Sequence, residues 1–368
     1  MKIKVLFILL VIPFIHYGQT FSVDYDTSLT QEINETSGLI FFNGSVFTIN
    51  DSGNEPYLYQ LDTLSGEIVR KIYVNGSNHD WEALAQDDEF VYIGDIGNND
   101  GTRTDLKIYK IAKNAILSSD TVPINSIINF QYGNQTDFTP QPHNTPFDAE
   151  AIVCLNDTLI LFSKNWTGNT TYLYKIPTDV DSCTVFPYDS LQLPGMVTGA
   201  DLYDSTVYIC GYNHYLIPFL SIYNLRTITV NNLPVSDSIG PGQTEGIATN
   251  SPNHLFITRE KYTYTNNGNE YVFDARLYRF SLYQNPDLSP SLTINHCRIN
   301  PNPAHTTIHL SIPAPIKQIT ITGINGQIFH QSSTGTDAIN ISSLPQGTYI
   351  VHITDIYNKT YIRKFIKE

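Results

Sequence analysis

The sequence has 368 residues, of which only 15% are charged, and it contains 24 tyrosines and 18 phenylalanines. This composition favours strands joined by polar turns over long surface helices. A net charge of −14 argues against a nucleic-acid-binding protein, because contact with a phosphate backbone requires basic patches. The same charge is compatible with cation binding or with solubility alone.

The N-terminal residues have the pattern of a secretory signal peptide. Lys2 and Lys4 precede an apolar run from Val5 to Ile15, and Gly18 supplies a small residue before a cleavage site. Residues 1–18 are therefore predicted to be removed, which leaves a mature chain that starts outside the cytoplasm. The apolar run is too short to cross a bilayer, so we expect no transmembrane span in the mature chain.

A short pattern recurs five times and predicts the fold. Each copy pairs a strand of small residues with a β-rich strand, and a third strand usually follows; the copies begin at Ser37, Glu82, Glu150, Gly199 and Glu245. Most intervals are roughly 45–50 residues, which is typical of propeller blades. We therefore predict an all-β chain with a five-bladed β-propeller in residues 19–284. Six blades is the alternative, if the long second repeat hides a degenerate blade.

The predicted ring needs a closing strand, and the start of the mature chain can supply it. A propeller avoids exposed sheet edges by circular closure. The segment "TFSVDYD" at 20–26 has the alternation of a strand and precedes the first repeat. We expect it to form the outer strand of the last blade.

The C-terminal part of the chain has a different pattern. Residues 285–296 are rich in proline and serine and are predicted to be a linker. Residues 297–368 contain short alternating strands separated by Asn-Gly and Gln-Gly turns. This pattern predicts a small antiparallel sandwich of the immunoglobulin-like kind.

Polar residues recur at two positions of the repeat. In a propeller blade, the start of the innermost strand and the end of the second strand lie on the same face. The first position carries Glu82, Glu150, Asp201 and Glu245, and the second carries Asp51, Asp95, Lys164, Asn213 and the pair Arg259–Glu260. We expect all of them around one channel mouth, although the orientation of Asp201 depends on its strand register.

Crowded carboxylates repel one another unless a cation lies among them. A calcium ion is the expected cofactor, with Glu82, Glu150, Asp201, Glu245, Asp51 and Asp95 as its predicted ligands. Lys164, Arg259 and the loop residue His214 are predicted to bind the ligand. Alternatively, a carboxyl with a raised pKa acts as general acid or base, for which Glu82 and Glu150 are the predicted catalytic residues. The open alternatives are turn formation for the aspartates and structural hydrogen bonding for the glutamates.

The C-terminal segment resembles the type A sorting domain of type IX secretion. The matching features are Asn300–Pro303, the Gly323–Gln327 turn, Ile341–Tyr349 and the basic end at Arg363 and Lys364. The resemblance implies that the type IX secretion machinery is a partner. It also implies secretion, or attachment to the outer-membrane surface, of a Gram-negative bacterium.

The repeat segments resemble the phytase-like, or esterase-like, propellers of secreted bacterial proteins. The resemblance rests on "NDSGNEPYLYQLD", "HDWEALA", "YIGDIGNND", "DAEAIV" and "TEGIA". It implies a metal-dependent hydrolase of phosphate or carboxylic esters, although the full ligand set of calcium-dependent phytases is not matched. The alternative is a non-catalytic surface module that binds a glycan, a peptide or a protein, because fold does not fix function.

Overall fold

The computed structural model describes residues 20–266, 269–283, 298–311, 316–323, 327–332, 337–355 and 360–368. They form two compact units, of which the first holds most of the chain before residue 284 and the second most of the chain after it. The predicted signal peptide (1–18) and linker (285–296) lie outside the described residues, so both stay predictions.

The first unit consists of short strands with a few helical turns. Its first half contains β1 (Thr20–Ser28), a 3-10 turn (Gln31–Ile33), β2 (Thr36–Phe42), β3 (Ser45–Asn50), β4 (Tyr57–Leu61), β5 (Ile68–Val74), β6 (Trp81–Gln86), β7 (Phe90–Asp95), β8 (Lys107–Ala112), α1 (Lys113–Ser118), β9 (Thr121–Val122) and β10 (Ser126–Tyr132). Its second half contains β11 (Asp148–Leu155), β12 (Thr158–Lys164), β13 (Thr170–Pro177), β14 (Ser182–Val185), β15 (Asp189–Gln192), β16 (Met196–Tyr203), β17 (Thr206–Tyr212), β18 (Pro218–Asn224), β19 (Thr229–Leu233), α2 (Ser236–Ile239), β20 (Thr244–Ser251), β21 (His254–Arg259), β22 (Tyr262–Asn266), β23 (Asn269–Phe273) and β24 (Arg276–Tyr283).

These strands form five sheets of four or five strands and one separate hairpin, β22–β23. From the innermost strand outwards, the sheets are β2-β3-β4-β5-β9, β6-β7-β8-β10-β14, β11-β12-β13-β15, β16-β17-β18-β19 and β20-β21-β24-β1. The innermost pairs of strands are antiparallel, whereas β5–β9 and β10–β14 at the rim run parallel. Each repeat seen in the sequence supplies the three inner strands of one sheet.

Burial differs between the inner and outer strands and explains their sequences. The inner strand β11 is buried along seven of its eight residues, and from Ala151 onwards it is a continuous run of small and apolar side chains. The outer strand β10 alternates between buried and exposed positions, because only one of its faces packs against a neighbour. The apolar cores lie between adjacent sheets.

The five innermost strands follow one another around a common centre. β2 contacts β6, β6 contacts β11, β11 contacts β16, β16 contacts β20, and β20 returns to contact β2. A narrow central space is lined by residues of all five strands, including Leu39, Leu84, Ile152, Ala200 and Ile247. The inner strands therefore form a closed cycle of contacts.

Small residues make this close approach possible. A Cβ atom added to Gly38 would lie 2.4 Å from the backbone nitrogen of Leu84 on the next inner strand. A Cβ atom on Gly246 would lie 2.5 Å from the carbonyl oxygen of Ser37. Neither distance is compatible with a side chain, so these two contacts between neighbouring sheets require glycine.

Strand β1 completes the fifth sheet, as predicted from its sequence. It pairs antiparallel with β24 from Thr20 opposite Tyr283 to Ser28 opposite Arg276. Phe21 packs on Phe280 with a centroid distance of 5.7 Å, and the Asp26 carboxylate forms an ion pair with Arg276. The first described strand is therefore held by the last strand of the same unit.

The second unit contains two antiparallel sheets that share one apolar core. Its strands are β25 (Arg298–Asn300), β26 (Thr307–Ser311), β27 (Ile316–Gly323), β28 (Ile328–Ser332), β29 (Ala338–Asn340), β30 (Gly347–Asp355) and β31 (Thr360–Lys367). The sheet orders are β25-β26-β29 and β28-β27-β30-β31. Ile308 and Leu310 from the first sheet pack in one cluster with Ile321, Val351 and Phe365 from the second.

We expect Phe21→Ala to lower the free energy of unfolding by about 1–2 kcal/mol, because it removes a half-buried ring that anchors β1 to the fifth sheet. Chemical denaturation monitored by tryptophan fluorescence measures the change. Thr20→Ala, at an exposed position of the same strand, should change stability by less than about 0.5 kcal/mol. Equal stability of the two variants would show that β1 is not packed as described.

Candidate functional site

Each of the five inner strands breaks its pairing register at the same position. The irregularities occur between Thr36 and Leu39, Trp81 and Ala83, Ala149 and Ala151, Val197 and Gly199, and Thr244 and Ile247. A bulge re-aims one side chain out of the regular alternation. The equivalent residues at these bulges are Ser37, Glu82, Glu150, Thr198 and Glu245.

Four of these five bulge residues line one cavity together with residues from the ends of the second strands. Ser37, Glu82, Glu150 and Glu245 come from the inner strands, and Asp51, Lys164, Tyr212 and Glu260 come from the ends of β3, β12, β17 and β21. Loop residues Asn99, His143, Trp166 and Gln243 complete the lining. We call this space the acidic cavity, and its volume of about 140 Å³ holds several water molecules or one small ligand group.

A buried ion pair lies in the wall of the acidic cavity. Lys164 Nζ donates to Glu150 Oε1 at 2.5 Å and to the Tyr212 hydroxyl at 3.2 Å. The side chains of Lys164 and Glu150 are only 5% and 4% exposed. The second carboxyl oxygen of Glu150, Oε2, is buried without a hydrogen-bond partner, which is costly for a polar atom.

Two other acidic side chains of the cavity, Glu82 and Glu260, have separate hydrogen-bond donors. The Ser37 hydroxyl donates to Glu82 Oε2 at 3.0 Å and to the Glu82 carbonyl oxygen at 2.7 Å. Gln243 Nε2 donates to Glu260 Oε1 at 2.5 Å and to the Tyr212 hydroxyl at 3.2 Å. The carboxyl groups are thus held at separate places around the cavity.

Trp166 forms an aromatic wall whose orientation is fixed. Its indole Nε1 donates to Asp148 Oδ2 at 2.7 Å, and Asp148 Oδ1 accepts from the backbone N–H of Asn98 at 2.7 Å. Lys164 Nζ lies 4.6 Å from the centroid of the Trp166 ring, within the range of a cation–π interaction. The ring of His143 packs edge-on against Trp166 at 4.6 Å.

Burial makes the carboxyl groups of the cavity weak acids. It raises the pKa of Asp51 to about 8 and that of Glu260 to about 7. It raises the pKa of Glu150 to about 8, against the opposing effect of Lys164. Burial, followed by repulsion from Glu150, raises the pKa values of Glu82 and Glu245 well above the ordinary value for glutamate.

Lys164 behaves in the opposite way. Burial alone lowers its pKa, but the charges of Glu150, Tyr212 and Glu245 outweigh burial and raise the pKa well above the ordinary value for lysine. Lys164 is therefore charged at neutral pH, while several of the surrounding carboxyl groups hold their protons. The cavity combines a fixed cation with neutral carboxylic acids.

The structure places two predicted site residues at the adjacent strand position, on the other side of the sheet. Buried Asp95 accepts from Arg103 Nη2 at 2.8 Å and from the backbone N–H of Asp80 at 3.1 Å. Arg259 donates to the carbonyl oxygens of Ile239 and Asp274, each at 3.1 Å. Both side chains hold loops in place and neither lines the acidic cavity.

Asp201 and His214 also lie outside the cavity lining. The bulge residue of β16 is Thr198, three positions before Asp201, so the sequence alignment was out of register in this repeat. Asp201 accepts from the backbone N–H groups of Thr249 at 2.6 Å and Leu202 at 2.9 Å, which ties β16 to β20. His214 lies in an exposed turn after β17.

Sequence reasoning did not identify Tyr212, Gln243 and Asn99, which all line the cavity. Tyr212 occupies the strand-end position that Lys164 holds in the preceding sheet, as the pairing of β16 with β17 and of β11 with β12 shows. Aligning the second strands residue by residue would have identified it. Gln243 and Asn99 lie in loops, where the repeated strand pattern does not align equivalent residues.

The acidic cavity does not fit a preassembled calcium site. Among the residues that the structure describes, no three His, Cys, Asp or Glu side chains lie close enough together to hold a metal ion. Calcium takes six to eight oxygen ligands, whereas here Glu82, Glu150 and Glu260 each have a separate hydrogen-bond donor. The predicted calcium ion stays a prediction.

The comparison with family models identifies the C-terminal segment. Residues 298–368 match the model described as a secretion system C-terminal sorting domain. No curated protein matches the sequence. The protein is therefore secreted or held at the outer-membrane surface, and its C-terminal domain is handled by the type IX secretion machinery. Within the described part of the chain, no helix has the length and apolar character needed to cross a membrane.

Several solved structures are similar to this chain. Glutaminyl cyclase from Myxococcus xanthus is 15% identical with a TM-score of 0.46, and the match covers 72% of this chain and 97% of that one. A PQQ-bound aldose sugar dehydrogenase from Streptomyces coelicolor is 11% identical with a TM-score of 0.42, covering 73% and 99%. PorZ, a surface component of the type IX secretion system of Porphyromonas gingivalis, is 11% identical with a TM-score of 0.33, covering 90% and 45%. Similarities at this level do not transfer a function.

We expect the free energy of unfolding to fall as pH rises from about 5 to about 8. Carboxyl groups with raised pKa values bind protons in the folded state that the unfolded chain has already released, so folding is favoured at the lower pH. Each such group contributes a slope of about 1.4 kcal/mol per pH unit within this window. Denaturant unfolding at pH 5.5, 7.0 and 8.5 measures the trend.

Glu82→Gln should reduce the slope of the free energy of unfolding against pH by about 1.4 kcal/mol per pH unit, because the amide does not titrate. Glu89→Gln, at an exposed turn, is the matched control and should leave the slope unchanged. A stability that rises over the same pH range would contradict the assignment of protonated carboxyl groups.

Proposed function

We propose that the protein is an exported five-bladed β-propeller whose acidic cavity carries out acid–base hydrolysis of a small carboxylic ester. The cyclic contacts of the five inner strands support the blade number. The two sheets that share one core support an immunoglobulin-like sandwich for the sorting domain. The observation that carries the catalytic proposal is the buried Glu150–Lys164 ion pair in a cavity with protonated carboxyl groups.

The carboxyl groups divide into two chemical roles. Glu150 is bonded to charged Lys164 through Oε1, while its unpartnered Oε2 is positioned to accept a proton from an attacking water molecule. Glu82 and Glu245, with raised pKa values, supply protons to a departing alkoxide. The pKa of Glu150 is also raised, so Glu150 acts as the base in its ionised form, which the adjacent Lys164 favours.

The charge of the cavity favours a carboxylic ester over a phosphate ester. A phosphate dianion would meet five acidic side chains and one lysine, and the second predicted cation, Arg259, faces away from the cavity. Lys164 is already paired with Glu150, so the lining offers the dianion no free lysine or arginine, and every carboxyl group that ionises repels it. A neutral ester avoids this repulsion, and the polar lining can still orient its carbonyl group.

A second function is binding without turnover at the same cavity. It is favoured by the lining itself, because the one hydroxyl of a serine in the acidic cavity, Ser37, donates to Glu82 and has no histidine partner among its hydrogen bonds. The described lining residues therefore contain no activated nucleophile of the serine-hydrolase type.

An ester screen of the mature chain tests the proposal. We expect hydrolysis of p-nitrophenyl acetate or butyrate, no hydrolysis of p-nitrophenyl phosphate, and rates unaffected by EDTA. Glu150→Gln and Glu82→Gln should each lower kcat/KM by about 100-fold or more, and Glu89→Gln should not change it. Unfolding midpoints of all variants check that the fold survives.

The outcomes separate the candidate functions. Absence of turnover for every ester, with or without added calcium, would rule out the hydrolase and leave the binding function. Turnover that requires calcium and disappears with EDTA would overturn the metal-free mechanism and support the calcium prediction.

A further inference from the structure

We infer that the ligand of the acidic cavity carries a protonated amine, which is bound by Glu150 Oε2 and its acidic neighbours. This inference rests on the proposed function only in placing the ligand in this cavity. It adds the chemical class of the ligand, an organic ammonium compound, to a site that is otherwise described by its acidic lining.

Acidic side chains outnumber basic ones in the lining of the acidic cavity. Five acidic side chains line it, namely Asp51, Glu82, Glu150, Glu245 and Glu260, and Lys164 is the one lysine or arginine among the lining residues. Glu150 uses one oxygen for Lys164 and leaves the other, on a side chain that is 4% exposed, without a partner. A buried acceptor of this kind is satisfied by a ligand that donates a hydrogen bond.

An ammonium group fits the arrangement better than a metal ion does. Its three N–H donors need two or three acceptors at hydrogen-bond distance, whereas calcium needs six to eight oxygens gathered around one point. The described acidic side chains do not gather in threes. The cavity volume of about 140 Å³ also has room for an aminoalkyl group.

The protein itself shows how the cavity holds an ammonium group. Lys164 Nζ is bound by a carboxylate, Glu150, and a phenol, Tyr212, and it lies over the indole of Trp166. This combination of an anion, a neutral acceptor and an aromatic face is a recurrent way of binding organic cations. The same Trp166 and Tyr212 line the space that the ligand enters.

Binding of a cation is coupled to the release of protons from the carboxyl groups. The titratable groups that face Glu150 come from every surrounding element: Asp51, Asp80, Glu82, His143, Asp148, Lys164, Tyr212, Glu245 and Glu260. Because an alkylammonium ion stays charged up to about pH 10, its affinity should rise as these carboxyl groups ionise. A neutral ligand should show no such rise.

Calorimetric titration of the mature chain tests this inference, with n-propylammonium as the probe and 1-propanol and calcium as comparison ligands. We expect propylammonium to bind about 10-fold more tightly at pH 8 than at pH 6 and to release about one proton. Propanol should bind more weakly at both pH values. Glu150→Gln should lower propylammonium affinity at least about 10-fold, and Glu89→Gln should leave it unchanged.

Glu245→Gln is a second variant in case Glu150→Gln does not fold, and it should also weaken propylammonium binding. Propanol or calcium binding as tightly as propylammonium would overturn the inference, as would propylammonium binding that neither variant weakens. Ester turnover without any preference for amine-bearing ligands would overturn this inference and leave the proposed function intact. Propylammonium binding without ester turnover would overturn the hydrolase and leave this inference intact.

Discussion

The inner strands of the five sheets meet because a glycine or alanine follows each bulge residue. Gly38 and Gly246 leave no room for a Cβ atom against the neighbouring strand. This close approach brings the bulge side chains of different sheets into one small, largely buried space. Everything distinctive about the acidic cavity, including its raised pKa values and its buried ion pair, follows from that crowding.

The ion pair of Glu150 and Lys164 then divides the cavity into chemically different parts. Lys164 stays charged because Glu150 lies beside it, while burial keeps protons on several of the other acidic groups. A cation that enters such a cluster can displace a proton from one of its carboxyl groups. The proposed acid–base chemistry and the proposed recognition of an amine both rest on this one cluster of carboxyl groups around a single lysine.

The recurring Glu-Ala and Glu-Gly pairs and the alternating outer strands were enough to predict the sheets, the closing strand and the clustering of Glu82, Glu150 and Glu245. The prediction of site residues was limited by the register of the strands, which the repeat does not fix to a single residue. In β16 the bulge residue is a threonine, so the pattern drew attention to Asp201 instead. At the ends of the second strands, neighbouring residues point to opposite sides of the sheet, so an alignment that is wrong by one residue confuses a cavity residue with a structural one. Asp95 and Arg259 were grouped with Lys164 for this reason.

The pairing of β1 with β24 also orders events in time. During synthesis, β1 cannot pair until β24 has been made, about 250 residues later. Both edges of β1 stay unpaired throughout that interval. The sorting domain, residues 298–368, follows β24 along the chain. A polypeptide with a complete sorting domain therefore already contains the strand that pairs with β1, and only chains truncated before β24 lack both.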